Sequence, residues 1–151
     1  MKLATLIYPK FCLDFGEGFT QNDNVVSINA CLQVDLYGQV SSDYLNGSIY
    51  SGVGGQVDFV RGARRSKGGK SIIALCSTAK SGTISTIVCC QPTGTPISVS
   101  LYDVMYICTE HGIINLYGLT TAERARALIS IAHPNFREQL EKDAYKMGIL
   151  R

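Results

Sequence analysis

The residues with the clearest chemical potential are three glycines within four positions, Gly52, Gly54 and Gly55, followed by Gln56. Glycine loses backbone entropy on folding and has no side chain to offset it, so this run does not suit a helix or strand interior. It suits a backbone that turns sharply or that another group approaches closely. The N–H groups of such a loop can converge on a phosphate or on a developing oxyanion. Taken alone, the stretch fits an anion-binding loop and a surface turn about equally well.

A basic cluster follows the glycines, consisting of Arg61, Arg64, Arg65, Lys67 and Lys70. These side chains could meet the phosphates of a bound anion, but a solvated basic face is the simpler interpretation for most of them. Two aspartates, Asp35 and Asp58, are predicted to be turn or cap residues, with orientation of the glycine loop as the alternative.

Composition predicts one domain with a real core, because the chain has 151 residues, of which 46% are hydrophobic. Only 17% are charged, which is typical of a domain whose surface is partly covered by something else. The net charge of +2, without a lysine-rich tail or a basic patch that has interleaved aromatic residues, argues against a nucleic-acid partner. No apolar run approaches the roughly 20 residues of a membrane span, and the first residues do not resemble a signal peptide. We therefore expect a cytoplasmic protein with no membrane or nucleic-acid partner.

The cysteines predict no metal site, because they form no Cys-x-x-Cys pair and neither histidine lies at ligand spacing from another. Four of them lie inside apolar runs, which indicates buried thiols in a reducing compartment. The six are Cys12, Cys31, Cys76, Cys89, Cys90 and Cys108.

Patterning predicts an α/β domain, a layered open sheet of mixed or mainly parallel strands with helices at its end. Residues 1–20, with a short strand at 5–8, form a weakly specified lead-in to a domain over residues 21–151. Strands are predicted at 25–28, 32–36, 71–75, 84–89, 97–100 and 104–109. The run 71–75 lacks alternation, so we expect it to be buried on both faces. A helix is predicted to begin within 59–63.

Two helices are predicted at the end of the chain. Thr120 and Glu123 have capping-box spacing for a helix through Ile131. The second helix is predicted over 134–147, with Gly148 as its C-cap. Its inward residues are expected to be Phe136, Leu140, Ala144 and Met147. Ser77, Thr78 and Lys80 follow the apolar run 71–75, and ligands of open α/β sheets gather beyond the carboxyl ends of strands.

Several motifs in order resemble the acetyl-CoA hydrolase/CoA-transferase family, notably 4-hydroxybutyrate and butyryl-CoA:acetate CoA-transferases. The motifs are Val34-Asp35-Leu36-Tyr37-Gly38, the run 50–63, Gly69-Lys70-Ser71-Ile72-Ile73, Thr109-Glu110-His111-Gly112-Ile113 and the run 123–138. The resemblance covers about residues 21–147. It implies the C-terminal domain of a NagB/RpiA/CoA-transferase-like fold, in a family whose members are about three times as long.

The resemblance also implies a reaction and a site. Family members transfer coenzyme A between an acyl-CoA and a small carboxylate through a glutamate nucleophile, without a metal. By the resemblance, Gly52, Gly54, Gly55 and Gln56 lie near the CoA thioester. Ser77, Thr78 and Lys80 belong to a second CoA-lining loop, and Asn29 helps to place the thioester carbonyl.

The segment that carries the family's nucleophilic glutamate is not recognisable in this chain. Glu17 lacks its flanking sequence and Glu110 lies in a different motif, so neither is assigned as the nucleophile. We expect the chain to be inactive alone and to work beside an N-terminal half, or to self-associate. The alternative is a non-catalytic domain that binds CoA or another anion, or that docks on a full-length homologue.

Several positions depart from the family's usual residues. Cys76 and Cys89 replace proline, Thr86 and Leu101 replace arginine, and His111 replaces tyrosine. For His111 a structural role is the first interpretation and a general base the second. His133, before a proline, is predicted to be a helix-end residue.

Overall fold

The structure, a computed structural model, describes residues 22–45, 48–52 and 54–151. In chain order the strands are β1 (Val26–Ala30), β2 (Gln33–Asp35), β3 (Val40–Ser41), β4 (Tyr44–Leu45), β5 (Ser48–Ile49), β6 (Lys70–Ala74), β7 (Thr78–Ala79), β8 (Ile84–Ser85), β9 (Ile87–Val88), β10 (Tyr106–Thr109) and β11 (Gly112–Asn115). The helices are α1 (Gln56–Arg65), α2 (Thr121–Ile131) and α3 (Pro134–Lys146). The strand predicted at 5–8, the rest of the lead-in and Glu17 lie outside the described residues.

The main sheet has the strand order β1-β6-β10-β11. The first three strands are parallel, and β11 is antiparallel to β10 as the second half of a hairpin. Ile73 and Ile107 are paired in register and fully buried. Since the carboxyl ends of parallel strands meet at one edge, the loops after β1, β6 and β10 converge. The predicted α/β class is confirmed.

A smaller sheet with the order β3-β2-β9 packs beside the main one, and two hairpins, β4-β5 and β7-β8, complete the set. Asp35, at the end of β2, is fully buried and accepts hydrogen bonds from the Tyr37 and Gln39 N–H groups at 3.1 and 2.9 Å. Burial raises the pKa of Asp35 despite these bonds. The prediction that Asp35 is a turn residue is confirmed.

The helices bury one side of the main sheet. Val60 of α1, Leu128 of α2 and Leu140 of α3 belong to the same core cluster as Ile73 and Ile107. These residues follow the helical period in each case, so each helix turns one apolar stripe towards the sheet.

The helix ends follow the predicted capping chemistry. Thr120 and Glu123 form the capping box of α2. His133 is the N-cap of α3, where its side chain accepts from the Asn135 N–H at 3.3 Å, which confirms its helix-end role. Gly148 follows α3 with φ 71° and donates to the Tyr145 carbonyl, while the Ile149 N–H reaches the Ala144 carbonyl. This pair of bonds is a Schellman motif, which requires the left-handed backbone that glycine adopts at little cost.

Some sequence predictions are wrong in detail. The run 71–75 is buried on one face only, since Ile73 is fully buried whereas Ile72 is half-buried. Met147, predicted to point inward, is 47% exposed and lies just beyond the end of α3 at Lys146.

The predicted strand boundaries also differ from those observed. Strand 84–89 is two short strands, β8 and β9, with Thr86 between them, and 97–100 contributes only a single bridge from Val99 to Val40. The helix predicted to begin within 59–63 starts earlier, at Gln56.

Candidate functional site

The start of α1 is hydrogen-bonded to the carboxyl end of β1. The Gln56 side chain donates from Nε2 to the Ala30 carbonyl at 3.0 Å. This contact brings the glycine loop to the edge of the sheet where β6 and β10 also end. The predicted residues Gln56 and Asn29 therefore belong to one region of the molecule.

The glycine loop faces open space. A Cβ atom built on Gly52 or Gly54 meets no heavy atom of the described residues within 4 Å. Gly55 has φ −81°, a conformation open to any residue, and a Cβ there would lie 3.3 Å from the Phe59 ring. Packing within the described chain therefore does not require glycine at 52 and 54. The space beside both glycines is open to a ligand or to another polypeptide.

The loop leads into a helix N-terminus without a side-chain cap among the described residues. Gly55 is the N-cap of α1 and has no side chain to accept from the first-turn N–H groups. These donors, together with the positive end of the helix dipole, favour an anionic or strongly polar acceptor. Asp58 in the first turn adds a negative charge that complements the same dipole.

Asn29 lies near the carboxyl end of β1 and points towards the core side of the sheet, in register with the buried Ile73. Its Nδ2 atom is buried and has no hydrogen-bond partner in the part of the chain that the structure describes. An unpaired buried donor is uncommon and costly in a folded protein. A ligand oxygen at this position would satisfy it.

Ser77, the third residue after β6, is held by Glu110, the first residue after β10. The Ser77 N–H donates to both carboxylate oxygens of Glu110, at 3.2 and 2.9 Å, and its hydroxyl donates to Oε1 at 2.5 Å. These bonds from the Ser77 side chain and backbone lower the pKa of Glu110 to about 2. The nearby His111 Nε2 lies 3.7 Å from Glu110 Oε1.

The sequence placed Ser77 at the site but missed Glu110 as its partner. The signal was present, since Glu110 follows the end of a third parallel strand just as Ser77 follows β6. One departure from the family pattern, Thr86, supports the same segment: its hydroxyl donates to the Cys76 carbonyl at 2.6 Å. Its backbone N–H also donates to the Ser77 carbonyl at 3.1 Å.

Thr78 and Lys80 belong to the β7-β8 hairpin beyond Ser77. Lys80 is exposed in the turn with φ 47°, and its carbonyl accepts from the Thr83 hydroxyl at 2.8 Å. Its ammonium group is therefore carried on a turn that extends from the sheet edge, whereas Ser77 is fully buried.

A small cavity of about 200 Å³ opens beside the glycine loop. Its wall contains Asp43, whose Oδ2 accepts from the Ser98 hydroxyl at 2.9 Å. The lining residues are Asp43, Tyr44, Gly54, Gln56, Val57, Pro96, Ile97 and Ser98. The mainly apolar lining with one carboxylate suits a short aliphatic or amide-bearing group more than a second anion.

Two of the basic residues have structural partners. Arg61 and Arg64 pair with Asp103 at 3.0 and 3.6 Å, and the Arg64 guanidinium lies 5.1 Å from the centre of the Tyr117 ring. These contacts tie α1 to the segment before β10. They favour a structural over a phosphate-binding role for both arginines.

Within the described ranges, no three metal-ligating side chains of His, Cys, Asp or Glu come together. The helices found there include none with the length and apolar character to cross a membrane.

Comparison with known proteins places this site in a family. The family described as acetyl-CoA hydrolase/transferase C-terminal domain matches residues 15–144. The chain is 54% identical to 4-hydroxybutyrate coenzyme A transferase of Clostridium kluyveri over 126 residues, which covers 83% of this chain and 29% of that protein. It is 47% identical to butyryl-CoA:acetate CoA-transferase of Anaerostipes caccae, covering 85% of this chain and 30% of the relative.

The fold agrees with solved structures. RipA from Yersinia pestis superposes with a TM-score of 0.81 at 46% identity, covering 91% of this chain and 30% of the other. The chain thus spans about a third of the length of the relatives that it matches. With a match over most of its residues to the family's C-terminal domain, this chain belongs to the acetyl-CoA hydrolase/transferase family.

Proposed function

We propose that this chain provides the CoA-binding half of the active site of an acyl-CoA:carboxylate CoA-transferase or acetyl-CoA hydrolase. The observation that carries the proposal is the open glycine loop at the uncapped start of α1, beside the buried, unpaired Nδ2 of Asn29. The contact from Gln56 to the Ala30 carbonyl brings both sets of donors to the carboxyl end of β1, and stabilisation of a thioester oxyanion needs such donors. The activities for which the relatives are named supply the substrate class, an acyl-CoA and a small carboxylate.

In the proposed reaction a carboxylate nucleophile attacks the thioester carbon, the C–S bond breaks, and the CoA thiolate leaves. The product is a mixed anhydride of the acyl group and the enzyme carboxylate. The thiolate attacks the enzyme-side carbonyl of this anhydride, the bond from that carbonyl carbon to the bridging oxygen breaks, and the step gives an enzyme–CoA thioester and the free carboxylate of the original acyl group. The acceptor acid then collects CoA by the reverse sequence. The glycine loop and Asn29 act by holding the carbonyl oxygen while negative charge develops on it.

Glu110 is not the nucleophile in this proposal. Its carboxylate already accepts three hydrogen bonds from Ser77, and the pKa of about 2 makes it a weak base. It serves instead as a positioning residue that fixes the Ser77 loop. The nucleophilic glutamate is supplied by a polypeptide segment outside the region matched here, so the chain alone binds CoA without turnover.

The test is a calorimetric titration of the chain with CoA and with acetyl-CoA, for the wild type and for Gly54→Val. The structure leaves room for the valine, so the variant should fold normally while its side chain occupies the space that the thioester needs. We expect saturable binding by the wild type and at least a tenfold weaker affinity in the variant.

Thr93→Val provides the matched control, since it adds an exposed valine in a turn away from the loop. It should bind as the wild type does. Equal affinity of Gly54→Val and the wild type would refute the loop assignment. Absence of binding by a folded wild-type chain would leave a domain that is competent only beside its partner.

A further inference from the structure

One face of the main sheet is mostly apolar and is only partly covered by the described residues, since Ile72 and Tyr106 are half-buried there. Side chains alternate along each strand, and register places Ile28 beside Ile72, which lies beside Tyr106, while Cys108 lies beside Ile113. We call this surface the open sheet face; its main residues are Val26, Ile28, Ile72, Tyr106 and Ile113. Val26, Ile28 and Ile113 are 54%, 65% and 55% exposed.

The helices cannot account for this face, because they bury the opposite one. Ser27 and Ser71, the alternate neighbours in β1 and β6, are buried, as are Ile73 and Ile107 beneath Val60 of α1. Sheets of parallel strands occur almost only with both faces covered. Three parallel strands with helices on one side therefore indicate a missing layer on the other.

The open sheet face continues around the edge of β1. A shallow groove of about 210 Å³ is lined there by Val26, Ser27, Ile28, Asn29 and Phe59. The groove connects the outer apolar residues with Asn29, whose Nδ2 belongs to the proposed CoA site. A polypeptide that covers the face and wraps this edge would therefore reach the place where the nucleophile is required.

We propose that the open sheet face is the docking surface for the part of a CoA-transferase polypeptide that lies outside the matched C-terminal domain. The inference rests on the proposed function and adds the surface through which the two parts join. About 70% of each matched relative lies outside the region shared with this chain, which is enough polypeptide for a covering layer. A second copy of this chain would present the same face but would not bring a new glutamate.

The test is co-expression of the full 151-residue chain with a tagged polypeptide comprising the part of the Clostridium kluyveri transferase outside the match. The wild-type chain should be retained on the tag. Ile28→Glu and Ile113→Glu each place a charge on the open sheet face, and each should weaken retention at least tenfold.

Tyr102→Glu is the control, because Tyr102 is 76% exposed and belongs to none of the sheet strands. It should be retained as the wild type is. Circular dichroism and thermal unfolding of each variant separate loss of docking from loss of folding. Because Ile28 and Ile113 are largely exposed, both variants should melt within a few degrees of the wild type.

The docking surface is refuted if the wild-type chain is not retained, or if both isoleucine variants are retained as strongly as Tyr102→Glu. The wild-type chain could instead self-associate without being retained on the tag, and both variants could abolish that self-association. This result would refute the proposal and identify a second copy of the chain as the occupant. A CoA titration of the retained pair keeps the two proposals distinguishable. Docking without CoA binding refutes the proposed function alone, whereas CoA binding with unaffected docking in both variants refutes the open sheet face alone.

Discussion

Residues at the candidate site differ in whether the described chain satisfies their hydrogen bonds and fills the space beside them. Asn29 and the two open glycines have no partner that the described chain explains, whereas Ser77 and Glu110 satisfy one another fully. Polar groups without partners, next to groups whose hydrogen bonds are complete, are expected where a ligand supplies the remaining hydrogen bonds. Hydrogen bonding and packing alone therefore distinguish the groups that are open to a ligand from the groups that hold the loops.

The Glu110–Ser77 contact predicts a pH-dependent contribution to stability. Because the folded-state pKa of Glu110, about 2, is below its usual 4.5, the contribution is present above about pH 4.5 and is lost as the pH falls towards 2. Glu110→Gln should therefore melt below the wild type at pH 6, and the two melting temperatures should converge near pH 2. The effect should be small, since the Glu110 side chain is 49% exposed.

Thermal unfolding from pH 2 to pH 7 measures this difference. Ser77→Ala removes the hydroxyl donor, so in that background the Glu110→Gln substitution should lose most of its pH dependence. A gap between the wild type and Glu110→Gln that is constant over the whole pH range would show that the carboxylate charge does not stabilise the loop.

At the scale of elements, the close approach of α1 to β6 depends on Gly69, which lies outside the candidate site. A Cβ at Gly69 would lie 2.0 Å from the Ala63 carbonyl oxygen, which no side chain tolerates. The turn between the end of α1 and the start of β6 must then shift. Since β6 is the central parallel strand of the described sheet, the position of α1 and of the glycine loop depends on this contact.

Gly69→Ala should therefore destabilise the fold by about 2 kcal/mol, within the usual range for an overpacked site. Gly54→Ala is the matched control, because the same added methyl group meets open space there, and its free energy of unfolding should stay within about 0.5 kcal/mol of the wild type. Urea denaturation measures both. Equal stability of the two variants would contradict the close approach.

The elements show why the sequence predicted some features and missed others. The capping box at Thr120 and the glycine after α3 act through contacts only a few residues away. The sequence therefore predicted both helix ends. The exposure of Met147 depends on the point at which α3 ends, which the periodic pattern did not mark. The bridge at Val99 depends on pairing with the distant Val40, which local patterning does not contain. The site edge was predictable because parallel strands bring their carboxyl ends together.

At the scale of the whole molecule, the wrong prediction for the run 71–75 is informative. Its lack of alternation is typical of a strand covered on both faces, yet Ile72 lies on the open sheet face. The amino-acid sequence thus fits a covering layer that the described residues do not supply. The chain spans about 30% of the length of the relatives, and the docking proposal assigns this layer to the part outside the match.

The central claim is that this chain holds CoA while another polypeptide supplies the nucleophilic glutamate. The most direct measurement is mass spectrometry of the co-expressed pair after incubation with acetyl-CoA, which locates the covalent CoA adduct. We predict an adduct of CoA mass on a glutamate of the added polypeptide and none on this chain, alone or in the pair. An adduct on Glu110 or Glu17, or turnover by the chain alone, would contradict the claim.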